Sequence, residues 1–257
     1  MTKLSVNLEY MFREAGDLIE DRIYAAADAG FTHVEIFSLE NRSRSAIKQA
    51  LDNTGATLHS MVVDPRIMLV LKDNHPKFLD TFRAAAQDAV MLNCKNLVCG
   101  SGTGAPFLPR HISQDIVAEA ITQAADIAQE FNLTILLEAV NTRVDHPGAF
   151  FSRTEDTFYI ADKLQRENVK ILYDLYHSVA EGENIEQTME MIKNHIGHIQ
   201  LADFPGRGEP GTGKLDWKAI ASLIDKSGYK GPVGIECYPT TDNTPDALKY
   251  IRSVSGC

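Results

Sequence analysis

The chain has 257 residues, 44% hydrophobic and 23% charged, with a formal net charge of −10. That length suits one (β/α)8 barrel with a large buried core, and the composition is that of an ordinary globular chain. The acidic balance argues against a nucleic-acid partner, which would need a basic face. No apolar run approaches the roughly 20 residues of a membrane helix, and the opening Met1-Thr-Lys-Leu-Ser-Val-Asn7 lacks the apolar core of a secretory leader. Cys94, Cys99, Cys237 and Cys257 contain no C-x-x-C pair and read as reduced thiols. The expected setting is the cytoplasm.

The predicted elements alternate along the chain. A β-rich run at 4–8 precedes a helix at 17–29, where Leu18, Ile19, Ile23 and Ala26 repeat at helical spacing and Gly30 supplies the stop. A strand at 33–37 leads to a helix at 43–53 carrying Ile47 and Leu51, then a strand at 57–63 and an alanine-rich helix at 78–92. A strand at 96–99 precedes a helix at 113–131, whose Ile116, Ala120, Ile121, Ala124 and Ile127 form one stripe. Strands at 133–138, 169–174, 198–201 and 233–236 then alternate with helices at 154–164, 185–192, 217–226 and 244–253, the last with Pro245 at a first-turn position. Eight strands and eight helices without a break in composition predict one α/β domain over residues 1–257 with a parallel sheet. A doubly wound open sheet is the competitor. The count of eight and the lack of a Gly-x-Gly-x-x-Gly opening favour a closed (β/α)8 TIM barrel. Cys99-Gly-Ser-Gly-Thr-Gly104 has the look of a phosphate loop but lacks the following Gly-Lys-Ser/Thr, and reads as a flexible loop over the barrel mouth.

Four apolar runs end in Glu138, Asp174, Gln200 and Glu236, spaced 36, 26 and 36 residues apart, about one strand-plus-helix unit each. In a barrel all four would emerge at the C-terminal mouth, where barrel enzymes keep their chemistry. Three carboxylates converging there repel each other without a cation, so the four are expected to hold one divalent metal. An oxygen-only set favours Mg2+ or Mn2+, with Zn2+ also able to enter. For one glutamate alone, a salt bridge at the rim is the plainer reading. For the set, metal ligation is the better one, and Glu138 and Glu236 could then also remove and return a proton. His177, three residues after Asp174, is expected on the same mouth to contact substrate or a second cation. Arg207 lies in a long Gly/Pro loop. It would suit an oxo-acid carboxylate, although pairing with Glu209 on the same loop is the slightly favoured reading there. Glu35, His59, Asp64 and Arg66 are weaker candidates, Glu35 and His59 reading first as satisfied core polar groups. Trp217 reads as packing.

The chain resembles the xylose isomerase-like barrels, and among them the hydroxypyruvate isomerases. The resemblance rests on Gly30-Phe-x-x-Val-Glu35, Leu137-Glu-Ala-Val-Asn-Thr-Arg-Val-Asp-x-Pro-Gly-x-Phe-Phe151, Asp174-Leu-Tyr-His177, His198-Ile-Gln-Leu-Ala-Asp-x-Pro-Gly-Arg-x-Glu-Pro-Gly211 and Gly234-Ile-Glu-Cys-Tyr238. It implies reversible isomerisation of a small oxo-acid. Glu138, Asp174, Gln200 and Glu236 would hold the metal, the two glutamates would shuttle the proton, and His177 and Arg207 would touch substrate. Ala139 stands where the family leads one to expect proline. A neutral-sugar epimerase and, further off, an apurinic-site endonuclease are the competing activities; the endonuclease needs about three zinc ions and a histidine-rich mouth, whereas here the position is Gln200 and the next loop offers Asp203. The expected partners are a small oxo-acid or sugar and at most further copies of the chain, with neither nucleic acid nor membrane.

Overall fold

A computed structural model describes residues 3–255. Strands β1 (Leu4–Asn7), β2 (His33–Ile36), β3 (Thr57–Val62), β4 (Asn96–Cys99), β5 (Thr134–Glu138), β6 (Val169–Asp174), β7 (Ile196–Leu201) and β8 (Val233–Ile235) pair in chain order, all parallel. β8 closes on β1 through Leu4–Val233, Ser5–Gly234 and Val6–Ile235. The helices are α1 (Ile19–Asp28), α2 (Arg44–Thr54), α3 (His75–Met91), α4 (Arg110–Glu130), α5 (Thr154–Leu164), α6 (Leu175–Glu181), α7 (Ile185–Ile192), α8 (Trp217–Ser227) and α9 (Thr244–Ser255). This is the expected TIM barrel. Among the described residues no helix is long and apolar enough to cross a membrane.

Local chemistry sets most boundaries. Ser43 caps α2 by accepting from the Ala46 N–H, and Gly55 ends it in the left-handed region at φ 70°. α3 starts earlier than its apolar pattern, because Pro76 fits the first turn. The short α6 was not predicted. It follows β6 without a loop, capped by Asp174 and stopped at Gly182, and seven residues are too few to show a stripe. The 99–104 segment is also not the flexible loop its glycines suggest. Ser101 and Gly102 carbonyls accept from Leu69 and Phe150, and Gly104 donates to Gly148. Gly102, at φ 67°, is required there: a Cβ would lie 2.4 Å from the Ile67 carbonyl oxygen. Trp217 does more than pack, since its Nε1 donates to Asp203 at 2.7 Å. Cys94, Cys99 and Cys237 are buried free thiols, and Cys257 lies outside the described residues.

Side chains alternate across each strand. One parity (Val6, Val34, Leu97, Ile135, Ile171, Ile199, Ile235) faces the helices and joins the main core. The other fills the barrel. On the β3–β6 side it is apolar, a cluster of Val98, Leu136 and Leu172 with Val62 against it. On the β7–β8–β1–β2 side it is polar, with Ser5, Asn7, Glu35, His198, Gln200 and Glu236 all buried.

Gly234 makes the polar half possible. A Cβ there would stand 2.5 Å from Glu35 Oε1, 2.9 Å from Gln200 Cγ and 3.0 Å from His198 Nε2. Gly234→Ala should therefore destabilise by about 1–3 kcal/mol, the usual cost of overpacking, read as a lower urea midpoint at unchanged slope. An unchanged midpoint would show that the interior yields there.

Candidate active site

Glu138, Gln200 and Glu236 line one cavity of about 300 Å3, and Asp174 is buried beside it, with a ligand atom within 4.8 Å of one of Glu138. Glu138 ends β5 on the inward parity of Leu136, and stays half-buried with its carboxyl open to the cavity. Asp174 does two jobs. Its Oδ1 accepts from the His177 N–H at 3.1 Å, capping α6, while Oδ2 turns to the site. Glu236 accepts from Asn7 Nδ2 at 2.8 Å and Gln200 Nε2 at 2.7 Å. Asn7 is thus a site residue that the sequence reading missed, although it too is an oxygen-bearing strand end.

Arg207 is where the loop reading changes. It does not pair with Glu209, whose carboxylate accepts from Thr240 N and Oγ1. Its Nη2 lies 2.6 Å from Glu236 Oε1 and 3.6 Å from Asp174 Oδ2, and its Nη1 3.7 Å from Asp145 Oδ2. Tyr10 and Tyr176 sandwich the guanidinium at 5.0 and 4.9 Å. The backbone of Arg207 is left-handed at φ 55°, an uncommon conformation for a residue with a Cβ. The turn is held by Asp203 N to Gly208 O and Tyr238 N to Arg207 O. Asp203 is therefore not a site ligand: it is fully buried and accepts from Phe204, Gly211 and Trp217.

His177 is in the site but turned in an informative way. Its Nδ1 accepts from the Asn141 N–H at 3.2 Å and from Asn141 Nδ2 at 2.6 Å. Burial, then the Arg207 charge, hold its pKa well below the ordinary value, so the ring is neutral. A neutral ring accepting at Nδ1 carries its proton on Nε2. Glu138, Asp174 and His177 present ligand atoms within 4.8 Å of one another. In this tautomer, however, His177 offers a donor there, 3.7 Å from Asp174 Oδ2. Asn141 is a further residue the sequence reading passed over.

The weaker candidates divide. Asp64 and Arg66 are exposed and line the cavity mouth. Glu35 and His59 lie deeper, as satisfied polar groups. Glu35 accepts from Ser5, Ser60, His198 and Gln200, and His59 Nε2 lies 3.2 Å from His198 Nδ1. Burial alone would raise the Glu35 pKa, but His198, His59 and Ser5 outweigh it and bring it to about 2.

The upper carboxyls behave oppositely. Burial first, then the Asp174 charge, push Glu138 up to about 7. Burial, with Asp174 and Glu138 nearby, drives Glu236 well above the carboxylate range despite Arg207. Burial also raises Asp174. Among the described residues, two buried side-chain polar atoms have no hydrogen-bond partner: Gln200 Oε1 and Arg207 Nε. An orphaned acceptor among three carboxyls short of positive charge fits an oxygen-coordinated divalent cation.

These shifts carry a pH signature. Glu138 keeps its proton to about 7, whereas its ordinary value is 4.5. The folded state gains from that proton below the ordinary value and loses the gain as pH rises through about 7. Unfolded histidines titrate near 6.5, so above about pH 7 they are neutral in both states, and the slope is set by the carboxyls and, towards about pH 8.5, by the thiols of Cys94, Cys99 and Cys237, which burial keeps protonated. The metal-free protein should therefore melt at lower temperature at about pH 8.5 than at about pH 7, and saturating Mn2+ should shrink the difference by replacing the carboxyl protons, leaving the part due to the thiols. A melting temperature that rises over this interval without metal would contradict the assignment.

Comparison with known proteins agrees with the fold. The profile of the xylose isomerase-like TIM barrel family matches residues 23–254. The hydroxypyruvate isomerase of Escherichia coli (strain K12) is 31% identical over 98% of both chains, and a 2-oxo-tetronate isomerase of Cupriavidus necator is 29% identical over the full length of both. Among solved structures, a protein described as an AP endonuclease, family 2, from Brucella melitensis superposes with a TM-score of 0.91 at 27% identity, covering 98% of this chain and 99% of that one. A 3-keto-D-glucoside 4-epimerase from E. coli reaches 0.82 at 19% identity over 98% and 99%, a likeness of fold alone. With these matches running the length of the barrel, this chain belongs to the hydroxypyruvate isomerase family within the xylose isomerase-like TIM barrels.

Proposed function

We propose that this protein is a metal-dependent isomerase that interconverts a small 2-oxo acid, hydroxypyruvate or a 2-oxo-tetronate, and its aldehyde isomer by proton transfer through an enediolate. The pair of orphaned atoms carries the reading. Gln200 Oε1 is a buried acceptor without a donor and Arg207 Nε a buried donor without an acceptor, beside carboxyls that resist ionisation. A cation and an anionic substrate would satisfy both. Hydroxypyruvate and 2-oxo-tetronate isomerases among the relatives support the same substrate class.

Glu138, Asp174, Gln200 and Glu236 would hold one divalent cation, Mg2+ or Mn2+ with Zn2+ admissible. Held there, the cation would supply positive charge to the substrate oxygens as negative charge develops on them. Glu138 and Glu236 take the proton-transfer roles: burial and neighbouring carboxyls raise the proton affinity of both, and bring Glu138 to about 7, where a carboxyl both takes and gives a proton. Arg207 Nε donates to the substrate carboxylate, and His177 Nε2–H donates to an oxygen beside the reacting carbon. Val62, Val98 and Leu172 keep the floor dry.

A neutral ketose is the second reading, favoured by the outer wall. Arg42 there is neutralised by Glu9 at 2.6 Å, and Ser38, Glu40 and Asn41 beside it offer partners for hydroxyl groups. Against a nucleic-acid duplex weighs the formal net charge of −10.

The deciding measurement is solvent-deuterium incorporation with saturating Mg2+ or Mn2+, across hydroxypyruvate, 2-oxo-tetronates, tetruloses and ketohexoses. Exchange into the oxo acids is expected. Exchange confined to neutral ketoses would transfer the assignment to an epimerase. Glu138→Gln and Glu236→Gln should each cut turnover by about 10²–10⁴ while the far-ultraviolet circular dichroism is kept. Near-normal turnover in either would rule out the two-glutamate shuttle.

A further inference from the structure

A line of buried side chains runs up the barrel from its N-terminal end to the site. His59, half-buried, contacts His198 Nδ1 through Nε2 at 3.2 Å, and Tyr229 Oη lies at the same distance from that Nδ1. His198 Nε2 meets Glu35 Oε1 at 3.0 Å. Glu35 Oε2 accepts from Gln200 Nε2 at 2.7 Å, and the same Nε2 reaches Glu236 Oε2 at 2.7 Å. Two imidazoles and a carboxyl in series invite the idea of a proton relay. The fourth member excludes it: a carboxamide has no titratable proton to pass on. From Glu35 upward, what the line transmits is orientation.

The Gln200 amide spends both N–H groups on carboxylates, one of Glu35 and one of Glu236. Turning it over would set Oε1 against Glu35 Oε2, an oxygen that already accepts from Ser60, so Glu35 locks the amide with Oε1 as its one unpartnered atom. Glu236 belongs to the candidate ligand set. Glu35 does not, and it is itself fixed by Ser5, Ser60 and His198. We infer that Glu35 is a positioning residue, which orients the Gln200 carboxamide so that its carbonyl oxygen is the atom available to a divalent cation. This rests on the metal-dependent reading above.

The test is Mn2+ affinity, measured by isothermal titration on the metal-stripped full chain. Outer partners of a ligand typically contribute 10–100-fold in metal affinity. Glu35→Asp keeps the charge but withdraws the acceptor, and Glu35→Met removes both; each should weaken Mn2+ binding by about that factor. Glu35→Gln can still accept from Gln200 through its carbonyl, and should bind within about threefold of the unaltered protein on the same scale. His59→Asn, at the far end of the line, should leave affinity unchanged. Should the Met variant fail to fold, the Asp and Gln variants carry the comparison. Normal binding by Glu35→Asp, or a loss in Glu35→Gln as large as in Glu35→Asp, overturns the inference while leaving the metal reading intact. Absence of Mn2+ binding by the unaltered protein overturns both.

Discussion

Repulsion among buried carboxyls is the constraint around which this barrel is arranged. Glu35, Asp174 and Glu236 are each nearly inaccessible, and Glu138 stands beside them. A carboxylate moved out of water costs far more than a domain's net stability unless it is paired, hydrogen-bonded or protonated. The barrel uses all three answers. Glu35 is paired and saturated with donors, and stays ionised. Glu236 and Asp174 share the guanidinium of Arg207. Glu138, pushed by burial and by the Asp174 charge, holds its proton to about 7. The upper site is thus short of positive charge by construction, which is the condition for capturing a divalent cation.

The rest of the interior serves that arrangement. The apolar cluster on the β3–β6 side gives the site a dry floor, so charges above it interact strongly. The polar side gives each carboxyl its hydrogen-bond partners, and Gly234 leaves the space they occupy. Arg207 is held by stacking between Tyr10 and Tyr176 and by a turn with an uncommon backbone conformation. Such strain at a site is maintained by surrounding contacts, here the bonds tying the loop to Tyr238 and Asp203.

Asp174 and His177 show how one short element couples fold to chemistry. Asp174 caps α6 with one oxygen and faces the site with the other. The cap fixes the first turn, and the first turn places His177 against Asn141. The Asn141 N–H then dictates which ring nitrogen carries the proton. A backbone amide two elements away therefore makes His177 a donor in the site.

The sequence by itself determined the barrel and the strand ends. Strand periodicity is local, so Glu138 on the parity of Leu136, Asp174 on that of Leu172 and Gln200 on that of His198 could be read without coordinates, as could the helix stop at Gly30. Only the tertiary structure decided what those side chains meet. Arg207 and Glu209 are neighbours in the chain, yet Arg207 reaches Glu236 and Glu209 holds Thr240. Asp203 looked available and is spent on its own loop. The glycines of 99–104 looked mobile and are tied to residues 69 and 148–150. Glu35 and His198 are 163 positions apart and share a hydrogen bond. Closing a parallel sheet brings together side chains from strands distant in the chain, and no short-range pattern encodes which of several polar atoms will find each other across a barrel.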